Sequence, residues 1–138
     1  VQGLNISPEQ NKMNLDEAKK LGVGHLVSCD LADFNDGLPQ SYTGKFTHII
    51  SCEVLCHAAN KPALFKDLKR ISVPGAAFAF TDIMGADGAD EKVLKDFTDR
   101  NATTRMARPS EYVASALLSL YFRFAIDLQS ICNRLTSI

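Results

Sequence analysis

Phe46-Thr-His-Ile-Ile-Ser-Cys-Glu-Val-Leu-Cys-His57 is the stretch that decides the fold. Residues 46–50 are apolar and β-rich, and such a run bounded by turn signals predicts a strand buried on both faces. The run breaks into Ser51-Cys52-Glu53 and closes on Leu55-Cys56-His57, just before a predicted helix. In open α/β sheets ligands sit beyond the carboxyl ends of the parallel strands. A small polar residue, an acid and an imidazole at one strand end therefore mark a ligand edge.

The same pattern recurs on either side. Upstream, residues 1–6 form a short β-like run, and Ser7-Pro-Glu-Gln10 starts a helix. Ser7 can cap, Pro8 suits the first helical position, and Gln10 stands where a capping box places Glu or Gln. Met13, Leu15, Ala18 and Leu21 supply an apolar face, and Gly22 and Gly24 end the helix. Residues 26–29 read as a second strand ending at Asp30-Leu31, and residues 32–45 as a loop rich in turn formers. Downstream, Asn60 starts a helix with Leu64, Phe65, Leu68 and Ile71 on one side. Val73-Pro-Gly75 turns the chain into an apolar strand ending in Thr81-Asp82. Helices over about 90–101 and 109–120 and a last strand over 121–128 complete the chain, leaving 129–138 unassigned. The order β-α-β-β-α-β-α-α-β predicts an α/β, Rossmann-like, mostly parallel sheet with flanking helices.

The 138 residues make one domain with a real core. A hydrophobic fraction of 46% with 22% charged residues is ordinary globular composition. A formal charge of −1, with Lys and Arg scattered over helices, argues against a nucleic-acid partner. No apolar run reaches the roughly 18 residues of a membrane span, and no secretory signal is visible. Cys52-x3-Cys56-His57 lacks a second ligand pair at finger-like spacing, so no metal is expected. The remaining cysteines, 29 and 132, fit a reducing, intracellular and cytoplasmic setting. The sequence begins at Val1, inside a strand-like run, which suggests an excerpt, a processed chain or an incomplete sequence.

Four strand ends thus carry polar residues: Asn5, Asp30, Ser51 to Glu53, and Thr81-Asp82. Each alone has a plain explanation, since Asn5 can turn the chain, Asp30 can cap a loop and Glu53 can be solvated. Their common position at one edge points to a nucleoside.

Gly3-Leu-Asn-Ile-Ser-Pro-Glu-Gln-Asn11, Cys29-Asp-Leu31, Ser51-Cys-Glu-Val-Leu-Cys-His57, Val73-Pro-Gly75 and Thr81-Asp-Ile-Met-Gly-Ala-Asp-Gly88 together resemble class I S-adenosylmethionine-dependent methyltransferases. The resemblance is to the sarcosine/dimethylglycine and glycine-sarcosine N-methyltransferase group, and it covers about residues 1–100. It implies an S-adenosylmethionine cofactor, a small amine substrate such as sarcosine or dimethylglycine, and a role in betaine biosynthesis. Residues 1–82 would be the cofactor-side βαβ units and 83–138 the acceptor side of a partial domain.

Position by position, the resemblance implies that Asn5 and Gln10 face the ribose, with Ile6 packing beside the base. Asp30 and Leu31 would meet the adenine, and Cys52 would lie beside the methionine part. His57, Met84 and Arg100 would line the acceptor pocket, where Arg100 can pair with a carboxylate. No catalytic residue is implied, because a sulfonium donor and a neutral amine need alignment more than a base. Several positions depart from the family pattern. Glu53 replaces an Asp, Ile83 a Pro, and Ala76 the last Gly of a Lys-Pro-Gly-Gly turn that also begins with Val73 here. The family's first strand, which lies centrally in the sheet, is absent with its helix and Gly-rich loop, so weak or no turnover is expected of these residues alone. Two alternatives remain: a nicotinamide-dependent oxidoreductase, and a non-catalytic Rossmann-like remnant acting as an interaction module.

Overall fold

The computed structural model describes residues 1–100, 103 and 105–117. It is an α/β, Rossmann-like fold of parallel strand pairs flanked by helices. Strand β1 (Gln2–Asn5) leads through helix α1 (Pro8–Lys20) to β2 (Ser28–Leu31), and the two strands pair in parallel from Gln2↔Ser28 to Asn5↔Leu31. Strand β3 (Phe46–Cys52) leads through α2 (Lys61–Ile71) to β4 (Ser72–Thr81), again in parallel. Helices α3 (Glu91–Arg100) and α4 (Pro109–Leu117) follow. The proposed strand over 121–128 lies outside the described residues.

Ser7 caps α1 as expected, its Oγ accepting from the Gln10 amide at 3.2 Å with Pro8 in the first turn. The reciprocal half of the box is not formed. Asn5 takes that place, its Oδ1 accepting from the Ser7 N–H at 3.0 Å. The helix ends as Gly22 and Val23 donate to the carbonyls of Lys19 and Ala18, with Gly22 at φ 74°. The apolar face differs from expectation. Asn11 and Ala18 are buried while Met13 and Leu21 are exposed, because the Asn11 amide turns inward to the Asp30 carbonyl at 3.2 Å.

Strand β2 begins at Ser28, two residues later than the sequence suggests, since Gly24–Leu26 closes a 3-10 turn first. The loop 32–45 contributes more than a connection, for it holds two further 3-10 turns and buries Leu38 and Tyr42. Val73-Pro74-Gly75 does turn the chain, but as an excursion within β4. Phe46 pairs with Ser72 while His48 pairs with Ala77, and Gly75 takes φ 80° in the extra residues between.

The core lies on one side of β3–β4. Leu64, Phe65, Leu68 and Ile71 of α2, the predicted stripe, are all buried against Phe78 and Tyr112. Phe65 meets Phe78 edge-on at 5.9 Å between centroids, and Phe80 lies 5.3 Å from Tyr112. Each such ring contributes on the order of 1.5–3 kcal/mol through burial. No described element covers the other side of the pair. Ala77, Ala79 and Ile50 alternate onto it, and Ile50 is 78% exposed. The expectation that β3 is buried on both faces therefore fails, because α2 and α4 cover one face only.

Candidate active site

Two groups of polar side chains stand at the carboxyl ends of the strands, one on each pair. On β1–β2, the Asn5 Nδ2 donates to Gln10 Oε1 at 2.6 Å, which joins two of the residues singled out from the sequence. Ile6 and Leu31 are 67% and 61% exposed beside them. Large aliphatic groups left in water next to paired amides suit a ligand with one apolar ring and several hydroxyls. Asp30 and Leu31 are adjacent strand residues and so point to opposite faces. The Asp30 Oδ2 accepts from the Tyr42 hydroxyl, a contact no local sequence pattern signals. Burial, and then the carboxylate beside it, push the Tyr42 phenol up to about 12.

On β3–β4, Cys52 is exposed at the strand end and Glu53 follows at φ 53°, a left-handed conformation uncommon outside glycine. The Glu53 amide is held by the Thr81 carbonyl at 2.8 Å. This bend sends Leu55–His57 into a 3-10 turn. His57 is exposed, and its backbone is clipped by Asn35, which donates to the His57 carbonyl at 3.3 Å and accepts from the Ala59 amide at 2.9 Å. Met84 is half-buried against the core. Arg100 is exposed in the last turn of α3 and donates to the Asp96 carbonyl at 3.2 Å.

Sequence reasoning marked Asp82 as a polar strand end but missed the buried cluster it joins. Asp82, one residue past β4, is 2% exposed, and its Oδ2 accepts from the hydroxyl of Tyr112, itself 1% exposed. The other carboxylate oxygen is buried with no hydrogen-bond partner. Burial and the nearby Asp82 push the Cys56 thiol up to about 11. Burial draws the Lys61 ammonium down, with Asp82 opposing. The polar strand end was visible in the sequence, whereas the helix that answers it, 30 residues on, was not.

A cavity of about 490 Å³ opens between the two strand pairs, lined by Gly3 and Leu4 on one side and by Ile49, Ile50 and Cys52 on the other. A second hollow of about 560 Å³ lies among Lys66, Arg70 and Pro74, at the amino end of β4 and so away from the strand tips.

The methyltransferase-domain family matches residues 1–80. The chain belongs to that family. The N-methyltransferase relatives agree. The sarcosine/dimethylglycine N-methyltransferase of Halorhodospira halochloris is 30% identical over 112 residues, covering 81% of this chain and 39% of its own length. The dimethylglycine N-methyltransferase of Parasynechococcus marenigrum (strain WH8102) is 34% identical over 118 residues, covering 83% and 40%. Among solved structures, a Galdieria sulphuraria protein assigned as a sarcosine dimethylglycine methyltransferase superposes with a TM-score of 0.78 at 24% identity, over 86% of this chain and 44% of that one. The Streptomyces coelicolor A3(2) geranyl diphosphate C-methyltransferase, solved with S-adenosyl-L-homocysteine, gives 0.75 at 16% identity, over 86% and 43%. This methyltransferase-domain chain thus spans about two fifths of the length of the curated relatives it matches. No helix among its described residues is long and apolar enough to cross a membrane.

Proposed function

We propose that this chain is the cofactor-binding part of a methyltransferase that moves a methyl group from S-adenosylmethionine to a small amine such as sarcosine or dimethylglycine. The observation that carries the proposal is the Asn5–Gln10 pair beside exposed Ile6 and Leu31, at the carboxyl end of a parallel strand pair in a methyltransferase-family domain. The residue types fit the cofactor. The amides suit ribose hydroxyls, the aliphatic side chains suit the faces of a purine, and the Asp30 carboxylate suits an exocyclic amine. Cys52 would bound the methionine end, and His57, Met84 and Arg100 the acceptor side.

The bound cofactor supplies an activated methyl on a sulfonium. The chain's own residues then bind, orient and exclude water, and no side chain is assigned a proton to move. Residues 83–138 would form the acceptor side.

Thermal shift against S-adenosylhomocysteine and NAD tests the proposal. A ligand that binds only the folded state stabilises by RT ln(1 + [L]/Kd), about 2.7 kcal/mol at 100 times Kd. S-adenosylhomocysteine should raise the melting temperature, and Asp30→Asn should shrink that rise. A rise with NAD alone would assign a nicotinamide enzyme, and no rise with either would assign a non-catalytic module.

A further inference from the structure

Tyr42, between β2 and β3, is buried, and its hydroxyl donates to Asp30 Oδ2. Its ring meets Phe46 edge-on, with 5.2 Å between centroids. The backbone on either side of it is held from α2. Arg70 donates to the Leu38 carbonyl at 2.7 Å and to Thr43 Oγ1 at 2.9 Å. Asp67 accepts from the Leu38 amide at 2.8 Å and from Arg70 Nε at 2.9 Å. Asp30 is gripped from the other direction by Asn11 of α1, whose side-chain amide donates to the Asp30 carbonyl at 3.2 Å. One acidic residue at a strand tip is thus fixed at its backbone by one helix, and at its carboxylate by a ring that a second helix positions.

The two carboxylate oxygens are used unequally. Oδ2 is taken by Tyr42, whereas Asp30 as a residue stays exposed and Oδ1 accepts no hydrogen bond among the described residues. Burial, and then Asp30, push the Tyr42 phenol up to about 12, so at neutral pH it faces the carboxylate only as a donor. An exposed aspartate without such a bond turns among its staggered rotamers, and ordering it costs a ligand part of its affinity. An aspartate ordered in advance spares the ligand that cost. It also cannot swing away from a group that repels it. Its free oxygen accepts from an N–H brought to the strand tip, and a carbonyl oxygen at the same place leaves two acceptors facing each other unpaired.

We propose that Tyr42 is a positioning residue for base specificity: by fixing the Asp30 carboxylate it makes the strand tip select a base with an exocyclic amine over one with a carbonyl at the same position. This role rests on Asp30 meeting the adenine, as proposed above, and adds that the selectivity is set from the loop that Asp67 and Arg70 clamp.

Calorimetric titration of the 138-residue chain with S-adenosylhomocysteine and with its deaminated inosine analogue tests it. The native chain should bind the adenine form at least about tenfold more tightly. Tyr42→Phe should weaken S-adenosylhomocysteine about fivefold and leave the inosine analogue within about twofold of its native value. The ratio is the decisive readout, because partial unfolding of a variant raises both dissociation constants by the same factor. Phe46→Leu, which removes the ring contact and keeps the hydroxyl, should lower the melting temperature and leave the ratio native. Asp30→Asn should abolish the preference, and Tyr42→Phe added to it should change the ratio no further. A native ratio in Tyr42→Phe, or an equal loss of affinity for both ligands, would overturn the role of Tyr42 and leave the cofactor assignment standing. Equal binding of the two ligands by the native chain would overturn it as well. Failure of the native chain to bind S-adenosylhomocysteine at all would overturn the cofactor assignment and this role together.

Discussion

Removing one oxygen, in Tyr112→Phe, isolates the buried polar cluster behind the strand tips. Tyr112 and Asp82 are 1% and 2% exposed, and the phenol donates to Asp82 Oδ2 while Oδ1 has no hydrogen-bond partner. A hydrogen bond to a charged group contributes about 1.5–3 kcal/mol, and leaving the carboxylate without it adds desolvation cost. The expected loss is about 2–4 kcal/mol, a large share of the roughly 5–15 kcal/mol of a typical domain. Urea melts with an unchanged m-value should read it directly.

The double variant supplies the control. In an Asp82→Asn background the same change should cost about 1 kcal/mol or less, giving a coupling energy near 2 kcal/mol. The alkaline limb offers an independent check. Burial, then the Asp82 carboxylate, raise the Tyr112 pKa above its ordinary value of 10. The stability from holding the phenol protonated is complete below pH 10 and is lost as pH rises beyond it. The limiting slope is about 1.4 kcal/mol per pH unit. Tyr112→Phe should remove that contribution to the slope. A loss under about 0.5 kcal/mol, or strict additivity with Asp82→Asn, would refute the assignment of a bond between these groups.

Thiol labelling of the native chain should mark Cys52, which is exposed, well before Cys56, which is buried with its pKa pushed up to about 11. Peptide mapping at pH 8 checks this, and equal rates would contradict the placement. Asp67 provides an acid-side prediction. Burial alone would raise its pKa, but the Arg70 guanidinium at 2.9 Å and the Leu38 amide at 2.8 Å outweigh it and hold the carboxyl low. Its stabilisation is present above the unfolded value of about 3.9 and lost as pH falls through the depressed folded value. Asp67→Asn should cost about 1 kcal/mol at pH 7 and flatten stability below pH 4, as read by chemical melts; an unaltered acid limb would count against it.

Local signals were legible where one residue suffices. Ser7 and Asn60 cap their helices because their side-chain oxygens reach amides three residues on, and the α2 stripe emerged from its spacing. Asn5 and Gln10 were each placed at the ribose on family likeness, while the contact between them, a short one across a helix start, is seen in the structure. Non-local answers were hidden. Tyr42 lies in a stretch whose composition says loop, yet it reaches Asp30, because Asp67 and Arg70 of α2 fasten residues 38–43 from the other side. The apolar run of β3 promised burial on both faces, and that promise describes what the strand is chemically suited to, while exposure records what the chain around it supplies.

That difference bears on how the two halves of the site work together. Asn5 of β1 and Gln10 of α1 stand with one strand pair and Cys52 of β3 with the other, and no ladder joins the pairs among the described residues. A cofactor touching both must fix their relative position from its own binding free energy. A ligand that touches both halves should therefore protect both, so S-adenosylhomocysteine at saturation should slow hydrogen exchange in β1 and in β3 together. Protection of one strand alone would mean that the ligand reaches one half of the site only.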